Sequence, residues 1–321
     1  MPLSFDFPFD KLLAYQGTNP CPEDFDAYWS RGLAEMQTLD PAVSLEAADF
    51  QAPYAACSGL QFTGTGGARV FAKLLRPRQP GATRRPAVLH FHGYAGASAD
   101  WSSYLPYVAA GYVVAALDCR GQGGISEDAG APGRGTLRGH IVRGLQGPVD
   151  DMYYRHVFLD TALLARIVMT MPDVDPQRVG AYGGSQGGGL ALACAALVPE
   201  IRRVAPTYPF LCDYQRVWEM DQAKDAYWEL QDYFRRFDPR HLHEREVFLK
   251  LGHIDVQHLC SRIRAEVLMG VGLMDTICPP STQFAAYNKI TAAKSYHLFP
   301  DFGHEVLPGF QDSVFQFLMG L

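Results

Sequence analysis

Along the 321-residue chain, short apolar runs alternate with longer stretches of helical spacing. The runs Ala87-Val88-Leu89-His90-Phe91, Val113-Val114-Ala115-Ala116-Leu117, Arg178-Val179-Gly180-Ala181-Tyr182 and Glu266-Val267-Leu268-Met269-Gly270-Val271 each end in polar or Gly-rich turns, and Ser295-Tyr296-His297-Leu298-Phe299 is a weaker example. A nearly continuous apolar run predicts a strand covered on both faces. Between the runs, positions 100–110, 153–171, 186–197 and 281–292 predict helices, and 308–319 predicts a closing one. Strand–helix alternation of this kind predicts an α/β class protein: a mostly parallel central sheet flanked by helices.

Residues 1–80 read differently, as an N-terminal extension. Pro22-Glu23-Asp24 supplies a first helical turn, and Phe25, Tyr28, Trp29, Leu33 and Met36 follow at helical spacing, a stripe that predicts core contact. Positions 43–75 predict antiparallel strands, with Gly64-Thr65-Gly66-Gly67 turning Leu60–Phe62 into Val70–Leu75. Those glycines are no dinucleotide loop, because Arg69 stands where a third glycine belongs and no helix follows. Two segments interrupt the later alternation. Residues 120–150 carry nine glycines and predict a functional or interface loop; residues 213–260, rich in Trp, Tyr and Phe, predict a helical insertion between strands. With no linker or repeat, residues 1–321 are read as a single domain.

Composition narrows the partners. Hydrophobic residues make up 48% and charged residues 19%, and the net charge is −6. Basic residues are scattered, and Arg84-Arg85 and Arg202-Arg203 read as solvated surface, so nucleic acid is not an expected partner. The start MPLSFDFPFDKLL lacks the marks of a secretory signal, and no apolar run reaches the ~18 residues of a membrane span, so a cytoplasmic protein with reduced thiols is expected. Its seven cysteines (21, 57, 119, 194, 212, 260, 278) form no C-x-x-C pair and are read as structural.

The chemistry gathers at Gly183-Gly184-Ser185-Gln186-Gly187, a G-x-S-x-G pentapeptide that follows one predicted strand and opens a helix. That is the context of a nucleophile elbow, which predicts the α/β-hydrolase fold with Ser185 exposed at the sheet edge. A serine hydroxyl needs a histidine to take its proton and a carboxylate to orient that histidine, in the chain order Ser, acid, His. Asp275 follows a predicted strand and His304 follows the last one, at the same edge; Asp301 is the fallback acid. His90 and His92 precede the nucleophile, while His241, His243, His253 and His258 fall in the insertion and are expected to be solvated or locally bonded. The pair His241-x-His243 lacks the H-E-x-x-H pattern, so no metal is expected. The oxyanion donors are the backbone N–H of Gln186 and that of Tyr94, in the His92-Gly93-Tyr94 turn.

Taken in order, His92-Gly93-Tyr94, Arg120-Gly121-Gln122, Gly183–Gly189 and Gly303-His304-Glu305 resemble carbohydrate esterase family 7, the acetyl xylan esterases and cephalosporin C deacetylases. Similar flanks are the Asp-Phe-Asp-Ala-Tyr-Trp lead-in, Tyr208-Pro209-Phe210, Pro279–Thr282 and Phe284–Asn288. The resemblance implies a Ser185–Asp275–His304 triad, Tyr94 and Gln186 as oxyanion hole, and Tyr94, Tyr208 and Pro209 against the substrate. It implies deacetylation of small acetylated sugars and of cephalosporin C, without metal or organic cofactor, and with hydrogen peroxide as one other acyl acceptor. It further implies a hexamer, a dimer of trimers, with residues 120–148 as interface loop and Arg120-Gly121-Gln122 tying that loop to the core. Gly123-Gly124-Ile125 after that tripeptide departs slightly from the family pattern. The residues alone leave open a broader short-chain carboxylesterase, a serine peptidase, or a binding protein that kept the fold.

Overall fold

The computed structural model describes residues 5–78, 84–129 and 135–321. The described residues form nine strands of one sheet: β1 Ser44–Ala47, β2 Ala55–Thr63, β3 Arg69–Pro77, β4 Arg85–Phe91, β5 Val113–Asp118, β6 Val174–Gly184, β7 Arg203–Thr207, β8 Glu266–Gly272 and β9 Lys294–Phe299. Their order is β1-β2-β3-β5-β4-β6-β7-β8-β9. The first three pair antiparallel, as does β3 with β5, and all later neighbours are parallel. This is the mostly parallel sheet that the alternation predicts, in the α/β-hydrolase architecture that the pentapeptide around Ser185 predicts.

The unbroken apolar strands are explained by the two layers on the sheet. On β4, Leu89 and Phe91 face one buried cluster while Val88 faces another; on β5, Ala115 and Leu117 divide from Val114 and Ala116 in the same way. Side chains alternate across a strand, so a strand covered on both faces must be apolar at every position. The larger cluster is covered by α2 Phe25–Thr38, α4 Tyr153–Met169 and α5 Gln186–Leu197, through Trp29, Phe158 and Leu190 among others. The smaller one is covered by α3 Leu105–Ala109 and α11 Phe310–Leu318, through Tyr107, Val108, Val314 and Leu318. A third, small cluster seats α1 Phe9–Ala14 and α10 Pro280–Lys289 against β8. Each fully buried Leu or Val contributes about 2 kcal/mol of apolar transfer energy.

Between β7 and β8 the chain builds α6 Tyr214–Glu219, α7 Trp228–Phe237, α8 Glu244–Leu251 and α9 Val256–Leu259, within the predicted insertion. The pattern missed β7. It is short, starts with Arg203 and contains Pro206, which has no N–H for the ladder; its pairing with β8 skips Ala205 and Pro206 and resumes in the same register at Thr207. Arg203 is therefore not solvated surface. It is half-buried, donates to the Phe317 carbonyl and pairs with Glu266 at 3.2 Å. Arg85 is also half-buried at the head of β4, whereas Arg84 and Arg202 are exposed as expected.

After β4 the chain lays β5 on one side of it, then crosses through α4 to lay β6 on the other. Reversal of winding direction opens a crevice at the C-terminal ends of the strands flanking it. The turns after β4 and β6 both open there, and these carry His92-Gly93-Tyr94 and Ser185.

Candidate active site

Ser185 stands between the end of β6 and the first turn of α5 with φ 57° and ψ −123°. A non-glycine residue in that region costs about 1–3 kcal/mol, and persists only where its surroundings force it. Here they do. Its N–H donates to Thr207 O at 3.0 Å, and its carbonyl accepts from Gly188 N at 2.9 Å, Gly189 N at 3.1 Å and Phe210 N at 3.0 Å. The turn also needs glycine at its flanks: a Cβ on Gly183 would lie 2.5 Å from the Phe91 carbonyl oxygen, and one on Gly187 would overlap the same atom.

Two further loops reach this edge. His304, after β9, has its Nδ1 2.8 Å from Asp275 Oδ2. Asp275, after β8, is fully buried, and its Oδ1 accepts from the backbone N–H groups of Ile277 at 2.9 Å and Cys278 at 2.8 Å. A buried carboxylate so bonded can hold the imidazole with Nε2 free to accept a proton. Asp301 is exposed, so the fallback acid is not the partner of His304.

Tyr208 and Cys278 link this pair to the elbow. The Tyr208 ring lies 4.5 Å from the imidazole, and its Cε2 is 3.4 Å from where a Gly184 Cβ would sit. Tyr208 itself has φ 33°, a second strained residue one strand away from the first. Cys278 is buried and interacts with the Ser185 side chain. Its thiol, His304 and Asp275 offer atoms within 4.8 Å of one another, a set that could ligate a metal ion. An ion there would compete with the His304–Asp275 hydrogen bond. Burial pushes the Cys278 thiol well above its ordinary pKa; the Asp275 charge adds to that and the Ser185 hydrogen bond opposes it, so it is no thiolate nucleophile. Cys278 was missed by sequence reasoning; the only available signal is its place three residues after the acid, where its N–H reaches back to Asp275.

The loop after β4 is tied to the elbow by side chains. Gln186, fully buried at the start of α5, donates from Nε2 to His92 O at 3.3 Å and Gly93 O at 3.4 Å. Its Oε1 accepts from Tyr154 Oη at 2.7 Å and Gln122 Nε2 at 2.8 Å. First-turn helix N–H groups have no acceptor in their own helix, so the Gln186 backbone N–H is free to face an anion. His92 Nε2 accepts from Cys119 N at 2.9 Å while Nδ1 meets Gly93 O at 2.7 Å, and burial lowers its pKa; it is a neutral structural histidine. Arg120, equally buried, clamps Asp160 through two bonds of 2.6 Å and donates to Thr65 O at 2.8 Å, as expected of a turn tying a loop to the core. Residues 130–134 of the predicted interface loop lie outside the described residues.

The remaining candidates separate clearly. Tyr94 turns its hydroxyl to Glu229 of α7, an acid that sequence reasoning missed because nothing near it in the chain marks it. Pro209 is buried, its Cα 3.1 Å from where a Gly188 Cβ would sit. Trp218 packs on Phe234 at 4.8 Å, Phe210 on Tyr227 at 4.2 Å, and Trp228 is 38% exposed. In the insertion, His253 bonds Asp24 at 2.9 Å and His241 stacks on Phe234 at 4.8 Å. His258 packs its ring against Phe25 at 5.8 Å.

Comparison with known proteins follows the same lines. The family model "Acetyl xylan esterase (AXE1)" matches residues 1–321. The fold is similar to the crystal structure of acetyl xylan esterase 1 from Thermoanaerobacterium sp. JW/SL YS485, with 56% identity and a TM-score of 0.95 over 98% of this chain and 99% of that one. It is also similar to acetyl xylan esterase from Paenibacillus sp. R4, at 32% identity and a TM-score of 0.91, again over 98% and 99%. Acetyl esterase Axe7A of Xylanibacter ruminicola is 26% identical over 286 residues, 87% of this chain; the chain spans 62% of that relative's length.

Proposed function

This chain belongs to the acetyl xylan esterase family, a family of carboxylic ester hydrolases, and from that premise we propose that it removes acetyl groups from small acetylated sugars, notably short xylo-oligosaccharides. Ser185 Oγ attacks the acetyl carbonyl carbon while His304 Nε2 takes its proton, with Asp275 orienting the imidazole. The C–O bond to the sugar then breaks, and His304 returns the proton to the departing alcohol. Water attacks the acetyl-enzyme, its proton passes to His304, and acetate leaves with Ser185 restored. The backbone N–H groups of Tyr94 and Gln186 receive the oxyanion, each contributing about 3 kcal/mol in the transition state. No step calls on a metal or organic cofactor. The observation that carries this reading is the 2.8 Å His304–Asp275 hydrogen bond at the sheet edge where Ser185 is held in a strained turn.

On the substrate side, the half-buried Tyr94 and Tyr208 line the approach, with Tyr208 flanking the imidazole, while Pro209, expected beside them, is buried against the Gly188 turn. Cephalosporin C, whose acetoxymethyl group is also a small acetyl ester, is a second substrate of the same site. The chain works as one domain and assembles as a hexamer, a dimer of trimers, through the loop at 120–148. The exposure of Ile125 (56%) and Leu137 (69%) on that loop supports a contact surface there. Among the described residues no helix is long and apolar enough to cross a membrane, and the seven cysteines are free, which is compatible with a reducing compartment.

Acetate release from acetylated xylobiose, cephalosporin C and polymeric xylan tests the reading. We expect activity on the first two, little on the polymer, and loss with Ser185→Ala. Undiminished turnover by Ser185→Ala would overturn it.

A further inference from the structure

We propose that Glu229 is a positioning residue for the oxyanion hole: from the helical insertion it holds Tyr94, and thereby the loop after β4, in place against the Ser185 elbow. The inference rests on the reading above, in which the Tyr94 N–H is an oxyanion donor.

Glu229 sits in the first turn of α7 and is 6% exposed, a rare place for an acid unless it is fully bonded. Its Oε1 accepts the Tyr94 hydroxyl. Its Oε2 accepts Ile141 N at 2.7 Å and Val142 N at 3.1 Å. One carboxylate thus gathers the loop after β4, the loop before α4 and the insertion. The loop after β4 needs such an anchor. A Cβ on Gly93 would meet nothing within 4 Å, so no side chain pins the near end of the peptide carrying the Tyr94 N–H, and Ala95, beyond Tyr94, is held at φ 56°, a strained conformation that persists only where its surroundings force it. The Gly93 carbonyl of that same peptide accepts from Gln186 Nε2 at 3.4 Å and from Gly96 N at 3.1 Å, and the His92 carbonyl before it accepts from Gln186 Nε2 at 3.3 Å. The Tyr94 side chain adds a tie to the insertion, its hydroxyl donating to Glu229 and accepting from His140 N at 3.4 Å. Misplacing a reacting group by about 1 Å costs on the order of 100-fold in rate, so a slack anchor has a kinetic signature.

The anchor also titrates. Burial pushes the Glu229 carboxyl up to about 7, opposed by the bonds from Tyr94, Val142 and Ile141 and by the Arg143 charge. Other groups facing it are Tyr154 of α4, Tyr214 of α6 and His140, whose ring lies 5.1 Å from that of Tyr94. Across an adjoining cavity of about 470 Å3 stand Arg138, Asp225 and Asp232. Above its pKa the carboxylate accepts three bonds; below it, a proton on Oε1 removes the charge-assisted bond from Tyr94. Glu229→Gln mimics the protonated form at every pH.

The experiment measures kcat and KM for p-nitrophenyl acetate from about pH 6 to about pH 9 in the full-length wild type, Glu229→Gln, Tyr94→Phe and the double variant, with melting temperatures alongside. We expect Glu229→Gln to lower kcat about tenfold near pH 8.5 with KM little changed, and the deficit to close toward pH 6 as wild-type Glu229 itself becomes protonated. Tyr94→Phe should show a comparable deficit near pH 8.5, and the double variant should be no worse than the poorer single one. A pH-independent ratio, a defect confined to KM, or additive losses would overturn the inference. Ser185→Ala, run in parallel, separates the two ideas: if it stays active the catalytic reading has failed, whereas if it is dead and Glu229→Gln is normal only the anchor has failed.

Discussion

Asp275→Asn is the sharpest probe of the site because its consequence follows from counting donors. Three N–H groups converge on this carboxylate, from His304 Nδ1, Ile277 and Cys278, and both of its oxygens accept. Asparagine has one oxygen and an NH2. If the oxygen keeps the two backbone donors, the NH2 faces His304 and donates to Nδ1, so the imidazole proton moves to Nε2. If the amide flips, two buried backbone N–H groups lose their acceptor, at about 1–3 kcal/mol each. The first arrangement leaves no hydrogen bond unmade and therefore wins. It blocks Nε2, the atom that takes the Ser185 proton in the proposed mechanism. The expected loss in kcat is about 10⁴-fold, equivalent to about 5.4 kcal/mol of transition-state stabilisation. Initial rates with p-nitrophenyl acetate read the loss, and an unchanged melting temperature excludes unfolding. A variant retaining more than about a tenth of wild-type kcat would refute the reasoning, and so would an equal loss in Asp301→Asn.

Two further perturbations test the frame around the site. Arg120→Leu strands Asp160, whose acid burial already pushes above its ordinary pKa while the Arg120 charge pulls it down; we expect a loss of about 3–5 kcal/mol in denaturant unfolding, and a loss under about 1 kcal/mol would refute it. Gly187→Ala drives a methyl into the Phe91 carbonyl oxygen, so it should cost at least about 1–3 kcal/mol of stability and much of kcat, whereas Gly184→Ala, whose new methyl would sit 3.4 Å from Tyr208 Cε2, should be tolerated. Equal melting temperatures and rates for the two glycine variants would remove the steric account of the elbow.

How far the chain could be read without its structure depended on the range of the interactions involved. The parallel strands other than β7, together with α4, α5 and α11, are set by local apolar patterning, so their apolar runs declare them. The elbow at Ser185 was legible for the same reason, since a strained turn demands small residues within two positions of itself. The order Ser, Asp, His then limited the partners to Asp275 and His304. The pattern failed where tertiary contacts override local preference. Strand β7 carries an arginine and a proline that no isolated strand would choose, and it exists because β6 and β8 pair with it on both sides. Cys278 gave no compositional sign of standing beside Ser185. Glu229 looks like any solvated helix acid until the fold brings Tyr94, Ile141 and Val142 to it from segments 87 to 135 residues away. Sequence alone determined the layers and the candidate catalytic groups, because spacing and small-residue requirements act over a few positions. The partner of each buried polar group was decided only by folding, because hydrogen bonds across loops leave no periodic trace in the chain.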